Sequence, residues 1–151
     1  MGTIAQLQAN INQLDLGKIA MIVVEDFRET IVDINKDQLQ DGKRKDGSLI
    51  VPQYQSQSYA KWKNKKNGRP PFKTPDLKKT GAFYAGFKLK ILSKGEFDIY
   101  SSDRKSEMLR GRYGGQTSKD IFGLNSEGRR ILLNDGFEQA LIDRVKFVCK
   151  L

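Results

Sequence analysis

Phe87-Lys88-Leu89-Lys90-Ile91-Leu92-Ser93-Lys94-Gly95-Glu96-Phe97-Asp98-Ile99-Tyr100 is the stretch that decides the fold class. Phe87, Leu89 and Ile91 alternate with Lys88 and Lys90, the period of two that a half-buried strand requires. Phe97 and Ile99 alternate in the same way with Asp98 and Tyr100, and Ser93-Lys94-Gly95 supplies a turn between the two runs. An antiparallel hairpin is predicted at about residues 83–101, with Lys88 and Lys90 near Asp98.

On both sides of the hairpin the apolar period is helical. Upstream, Thr3 is a good N-cap for Ile4, Leu7, Ile11 and Leu14, which describe a short amphipathic helix. Asp15 caps a longer one, with Leu16, Ile19, Ala20, Val23, Phe27, Ile31 and Ile34 as one stripe, ending near Asp41-Gly42. Its other face is acidic, carrying Glu25, Asp26, Glu29 and Asp33 beside Lys36. A brief helix from Ser56 or Ser58 to Lys66 is expected to be anchored by Tyr59 and Trp62. Downstream, residues 103–112 read as one short helix broken at Tyr113-Gly114-Gly115. Asn125 or Ser126 then opens a C-terminal helix carrying Leu133, Phe137, Leu141, Val145 and Val148. The expectation is an α+β fold in a single domain over residues 1–151, with the N-terminal long helix and the C-terminal helix packed on a small antiparallel β-sheet.

The charge is segregated along the chain. Residues 1–41 carry three Lys/Arg against seven Asp/Glu, a net of −4, whereas residues 42–94 carry fourteen basic side chains against two acidic ones, a net of +12. The latter segment also holds all four prolines, so residues 42–76 read as an extended basic arm rather than an ordinary linker.

Composition removes much chemistry. There are 151 residues, no His and one Cys, Cys149, which excludes Ser-His and Cys-His nucleophiles, His-ligated zinc and any internal disulfide. Cys149 reads as a packing residue, and a single thiol fits a reducing compartment. The longest apolar run, Ile19 to Val24, is far too short to cross a membrane. The Met1-Gly2 end reads as neither a secretory signal nor a myristoylation site, since Gln6 stands where Ser or Thr is preferred. No cofactor is expected.

Three residual chemistries can be weighed. Pro75-Asp76 and Asp103-Arg104-Lys105 match the loose PD-(D/E)xK pattern of Mg²⁺-dependent nucleases, although Asp103 and Lys105 read more plainly as solvated turn charges. Gly111 to Lys119 lacks the order of a phosphate loop, and Gly114 and Gly115 read as turn residues with positive φ. Lys61-Trp62-Lys63-Asn64-Lys65-Lys66 has the basic and aromatic character of a nucleic-acid contact. The alternatives are that Tyr59 and Trp62 pack the arm onto a body while the lysines face water, or that the arm docks on an acidic protein surface such as the acidic helix of a second copy. Lys43, Arg44, Lys45, Tyr59, Lys61, Trp62, Lys63, Lys65, Lys66, Arg69, Thr80 and Gly81 are the candidate partner or assembly contacts.

The run Leu77-Lys78-Lys79-Thr80-Gly81-Ala82-Phe83, lying between a long helix and a hairpin, resembles the Thr-Gly-x-Leu-type element of the tail-completion and head-tail joining proteins of tailed bacteriophages. Gln38-Leu39-Gln40-Asp41-Gly42, Tyr59-Ala60-x-Trp62-Lys63, Thr80-Gly81-x-Phe83-Tyr84-x-x-Phe87, Tyr113-Gly114 and Ile121-Phe122-Gly123-Leu124 are similar, in that order, to a subgroup from phages of Bacteroides-like hosts. Phe83 stands where the general pattern has Leu, and the basic arm is longer. The resemblance implies a non-catalytic virion protein, made in the bacterial host cytoplasm and assembled as a homo-oligomeric ring at the neck. There it would join portal and head to tail beside other neck proteins and near packaged DNA. Thr80-Gly81 would set the entry to the strand, Gly81 by tolerating a backbone that a side chain would obstruct.

Overall fold

A computed structural model describes residues 3–93, 95–115 and 117–151. Lys94 of the expected turn, Gln116 of the glycine-containing stretch and the Met1-Gly2 pair lie outside the described residues. The hairpin is present: β1 (Phe87–Ser93) pairs antiparallel with β2 (Glu96–Ser101). Leu89 stands opposite Ile99 and Lys90 opposite Asp98, while Lys88 faces Tyr100 instead of Asp98. Phe87, Leu89, Ile99 and Ser101 form the covered face. Residues 83–85 are not part of the hairpin, because Ala82–Ala85 makes a single helical turn, α5 in the order below.

The helices are α1 (Ile4–Asn12), α2 (Leu16–Asp26), α3 (Arg28–Gln40), α4 (Gln57–Lys66), α5 (Ala82–Ala85), α6 (Ser106–Tyr113), α7 (Ser126–Leu132) and α8 (Glu138–Cys149). Their starts obey local chemistry. Thr3 and Gln6 form a reciprocal capping box, Asp15 accepts from the Lys18 N–H, Ser56 from the Tyr59 N–H and Asn125 from the Gly128 N–H. No helix among the described residues is long and apolar enough to cross a membrane.

Two expected long helices are each divided. The N-terminal one breaks at Phe27 (φ −102°, ψ 14°), and the Phe27 ring packs edge-on against Phe137 with centroids 5.5 Å apart. No Gly or Pro marks the break, which is why periodicity ran through it. Beyond it α3 turns Ile31, Val32, Asn35, Gln38 and Leu39 inward, so its buried face includes two amides and differs from the stripe drawn through Ile31 and Ile34. The C-terminal helix bends at Asp135-Gly136, where Gly136 has φ +103°. That kink shifts the helical phase: Leu132 and Cys149 are buried, whereas Leu133 and Val148 of the expected stripe are exposed.

The core gathers α3, the hairpin, α5 and the 121–124 segment. Phe83, Phe87 and Phe122 meet with centroids 5.0 to 5.9 Å apart, and Tyr84 stacks on Phe87 at 5.5 Å. Such aromatic clusters bury large area and add edge and offset contacts. Residues 42–76 are irregular apart from α4, as expected, and they are laid against this body. Ile50, Ala60, Thr74 and Asp76 are almost wholly covered, and Lys45 donates its N–H to the Asp120 carbonyl at 2.8 Å.

Candidate functional site

The basic segment and the entry to the hairpin meet around Asp76. Its Oδ1 accepts from Lys63 Nζ at 2.6 Å and from the Lys78 N–H at 3.0 Å, while Oδ2 accepts from Asn67 Nδ2 at 3.0 Å. The Asp76 carbonyl accepts from the Tyr84 hydroxyl, and its N–H donates to the Tyr54 hydroxyl at 3.4 Å. Both Lys63 and Asp76 are buried, so the pair is stable only because every oxygen and the ammonium have partners; Lys63 also donates to the Lys78 carbonyl. Burial, reinforced by the Asp76 charge, raises the Tyr54 and Tyr84 hydroxyls above the usual tyrosine value.

This arrangement corrects the expected orientation of α4. Ala60 and Lys63, one turn apart, face inward, whereas Tyr59 and Trp62 lie on the outer side with exposures of 38% and 49%. Trp62 is an anchor only for its neighbours: Tyr59 packs on it at 5.7 Å and Lys66 Nζ lies 5.8 Å from its ring centre. Lys61 and Lys65 are exposed, as a contact residue should be. An ion pair between a short helix and the irregular residues that follow it leaves no periodic signature, so the inward lysine was not legible from spacing.

A cleft of about 500 Å³ opens beside this pair. Its floor is apolar, with Pro75, Leu77, Phe83 and Leu109, and its sides carry Tyr54, Tyr59, Tyr113 and Met108. Exposed Lys78 and Lys79 and, from a separate segment, exposed Arg104 and Lys105 form its lips, buried Lys63 also lines it, and Asp103 is the carboxylate among the lining residues. Asp103 is occupied locally, its Oδ2 accepting from the Lys105 N–H at 3.0 Å and its carbonyl from the Ser106 N–H at the start of α6. Asp76 does not line this cleft, and its carboxylate is fully engaged behind it. Among the described residues no three Asp, Glu or Cys side chains are grouped to hold a metal.

Thr80 and Gly81 also line the cleft. Gly81 has φ +89° and caps α5, with open space where a Cβ would stand. Its requirement is therefore a left-handed backbone, the kind of conformation that the sequence reading assigned to it. The pair opens a helical turn that in turn leads into β1, rather than entering the strand directly.

The other candidate contacts divide. Arg44 is 8% exposed, bonding Ser48 Oγ and the Tyr113 carbonyl, which removes it and Lys63 from the accessible set. Arg69 bonds Asp41 at 2.7 Å and Asp37 at 3.4 Å, so part of the acidic helix face is engaged by the chain's own basic segment. Lys43 is exposed, and Lys45 borders a separate apolar groove of about 380 Å³ between Phe97, Leu133 and Phe137. Lys78, Lys79, Arg104, Lys105 and Met108 were not among the sequence-derived contacts. Two dibasic pairs more than twenty positions apart gave the only local signal, and the fold alone brings them together.

No family model matches the sequence, and neither any curated protein nor any solved structure matches it.

Proposed function

We propose that this chain is a non-catalytic structural subunit of a tailed-phage virion that assembles as a homo-oligomeric ring at the neck, between portal and tail. The observation that carries the reading is uncovered apolar surface on the helices at its two ends. Ile4 on α1 is 87% exposed, Leu16 at the start of α2 61% and Phe147 on α8 74%, which is costly in water and is relieved when a neighbouring subunit covers it. The ordered motifs give the same reading further support. Thr80 to Phe87, Tyr113-Gly114 and Ile121 to Leu124 surround the aromatic core, a scaffold that leaves the helical surfaces free for neighbours.

Electron microscopy of the purified protein and of virions tests this. Closed rings and density at the neck are expected, with Phe147→Asp lowering the ring fraction. Absence of the protein from purified virions overturns the reading.

A further inference from the structure

We propose that the cleft between α4, residues 77–81 and α6 is a docking site for an extended acidic segment of a partner protein, one bulky apolar side chain filling the floor and flanking carboxylates meeting the lips. Three observations carry it. The cleft, at about 500 Å³, has the size of a specific binding site and a floor of Leu77, Phe83 and Leu109. Lys78, Lys79, Arg104 and Lys105 converge on its mouth from two separate turns, and among the described residues none of the four has an ion-pair partner. Lys63, which also lines the cleft, is neutralised by Asp76, so the unbalanced charge sits with the four exposed cations, where it selects partners and speeds encounter. Met108, 60% exposed on the cleft wall, is the adaptable apolar contact such a docking surface uses.

A polynucleotide would use the lip cations as well, but it has less use for the floor. Leu77 and Phe83 are buried at the bottom of a recess, where an aliphatic or aromatic side chain reaches more readily than a base held to its backbone phosphates. The Tyr54 ring meets Tyr59 edge-on at 5.0 Å and its hydroxyl is held by Asp76, so the cleft wall offers no run of parallel ring faces for stacking. The inference goes beyond ring assembly and does not depend on it: a monomer can fill this cleft, and a ring can form with it empty.

The chain has a single tryptophan, and Trp62 packs on Tyr59 at the cleft wall, so intrinsic fluorescence reports on this site. The probe is a synthetic peptide with one leucine flanked on each side by alternating aspartate and glutamate, titrated into the full chain, with a glycine-for-leucine peptide and a single-stranded oligothymidylate alongside. Saturable binding of the leucine peptide is expected, weakened about tenfold or more by the glycine replacement and by Lys79→Glu combined with Lys105→Glu. Both lysines are exposed, and the charge-reversed protein is expected to keep its unfolding midpoint. Lys146→Glu with Lys150→Glu, on α8 and beyond it, is expected to leave binding within about twofold. Equal binding of the leucine and glycine peptides, tighter binding of the oligothymidylate, or equal loss from the α8 variant overturns the proposal.

Discussion

Asn35 and Gln38, one turn apart on α3, together hold the backbone of a single buried loop. Asn35 Nδ2 donates to the Ile121 carbonyl at 3.1 Å and its Oδ1 accepts from the Gly123 N–H at 3.1 Å. Gln38 Nε2 donates to the Gly123 carbonyl at 2.9 Å and its Oε1 accepts from the Asn125 N–H at 2.8 Å. Two side-chain amides thus do for residues 121–125 what a neighbouring strand would do, and the loop can bury Ile121, Phe122 and Leu124 without stranding its polar groups.

Asn35→Ala is expected to lower stability by about 2–4 kcal/mol, because it leaves an N–H and a carbonyl buried without partners. Urea denaturation checks this. A shift in midpoint at unchanged slope is the expected result, and a change below the size of one ordinary surface substitution would refute the account.

The Lys63–Asp76 pair predicts a sign as well as a size. Lys63→Met leaves the Asp76 carboxylate buried without its cation and should cost about 3–5 kcal/mol. Adding Asp76→Asn removes the stranded charge, so the double variant should be more stable than Lys63→Met alone. A double variant that is merely the sum of two losses would show that the two charges do not interact.

Neighbouring glycines separate crowding from backbone strain. A Cβ on Gly114 would overlap the Lys119 carbonyl oxygen, and its φ of −167° is not the positive value expected of it, so crowding and not a left-handed backbone is what excludes a side chain there. Gly115 has φ +63° and nothing within 4 Å. Gly114→Asn should therefore destabilise by about 1–3 kcal/mol, while Gly115→Asn, which tolerates the left-handed region, should be nearly neutral. Thermal melts of the two variants decide it, and the reverse order would be decisive against this geometry.

Alkaline pH should unfold the protein through Tyr54 and Tyr84. Both hydroxyls are raised above the ordinary value of 10.0 by burial and by Asp76. Below that value both states keep their protons and the contribution to stability is complete. Above it the unfolded chain releases protons that the folded chain retains, so stability falls as pH climbs towards the folded values. Tyr54→Phe should make this fall shallower, as read from urea midpoints across the alkaline range.

The hairpin, the caps at Thr3, Asp15 and Asn125 and the helix preceding Gly114 were legible because each is set by residues close in sequence. The division at Phe27 was not, since it is fixed by a ring more than a hundred positions away, Phe137. Asn35 and Gln38 were no part of the expected apolar stripe, because polarity marks the outer face of a helix only when no backbone needs partners inside. The cleft was half legible: Tyr59, Thr80 and Gly81 were singled out, but Lys78, Lys79, Arg104 and Lys105 acquire a shared role only through tertiary approach.

The bond of Arg69 to Asp37 and Asp41 alters what a distant molecule meets. With Glu25 held by Arg28 and Asp33 by Lys36, four of the seven acidic residues before Gly42 lie beside a cation. Such exposed pairs stabilise little, yet they cancel at range. The polarity written along the chain is therefore not carried into space as a dipole of equal size. Beyond a Debye length the molecule acts chiefly as a body of net charge +9, and polyanionic surfaces attract it before any side chain touches them.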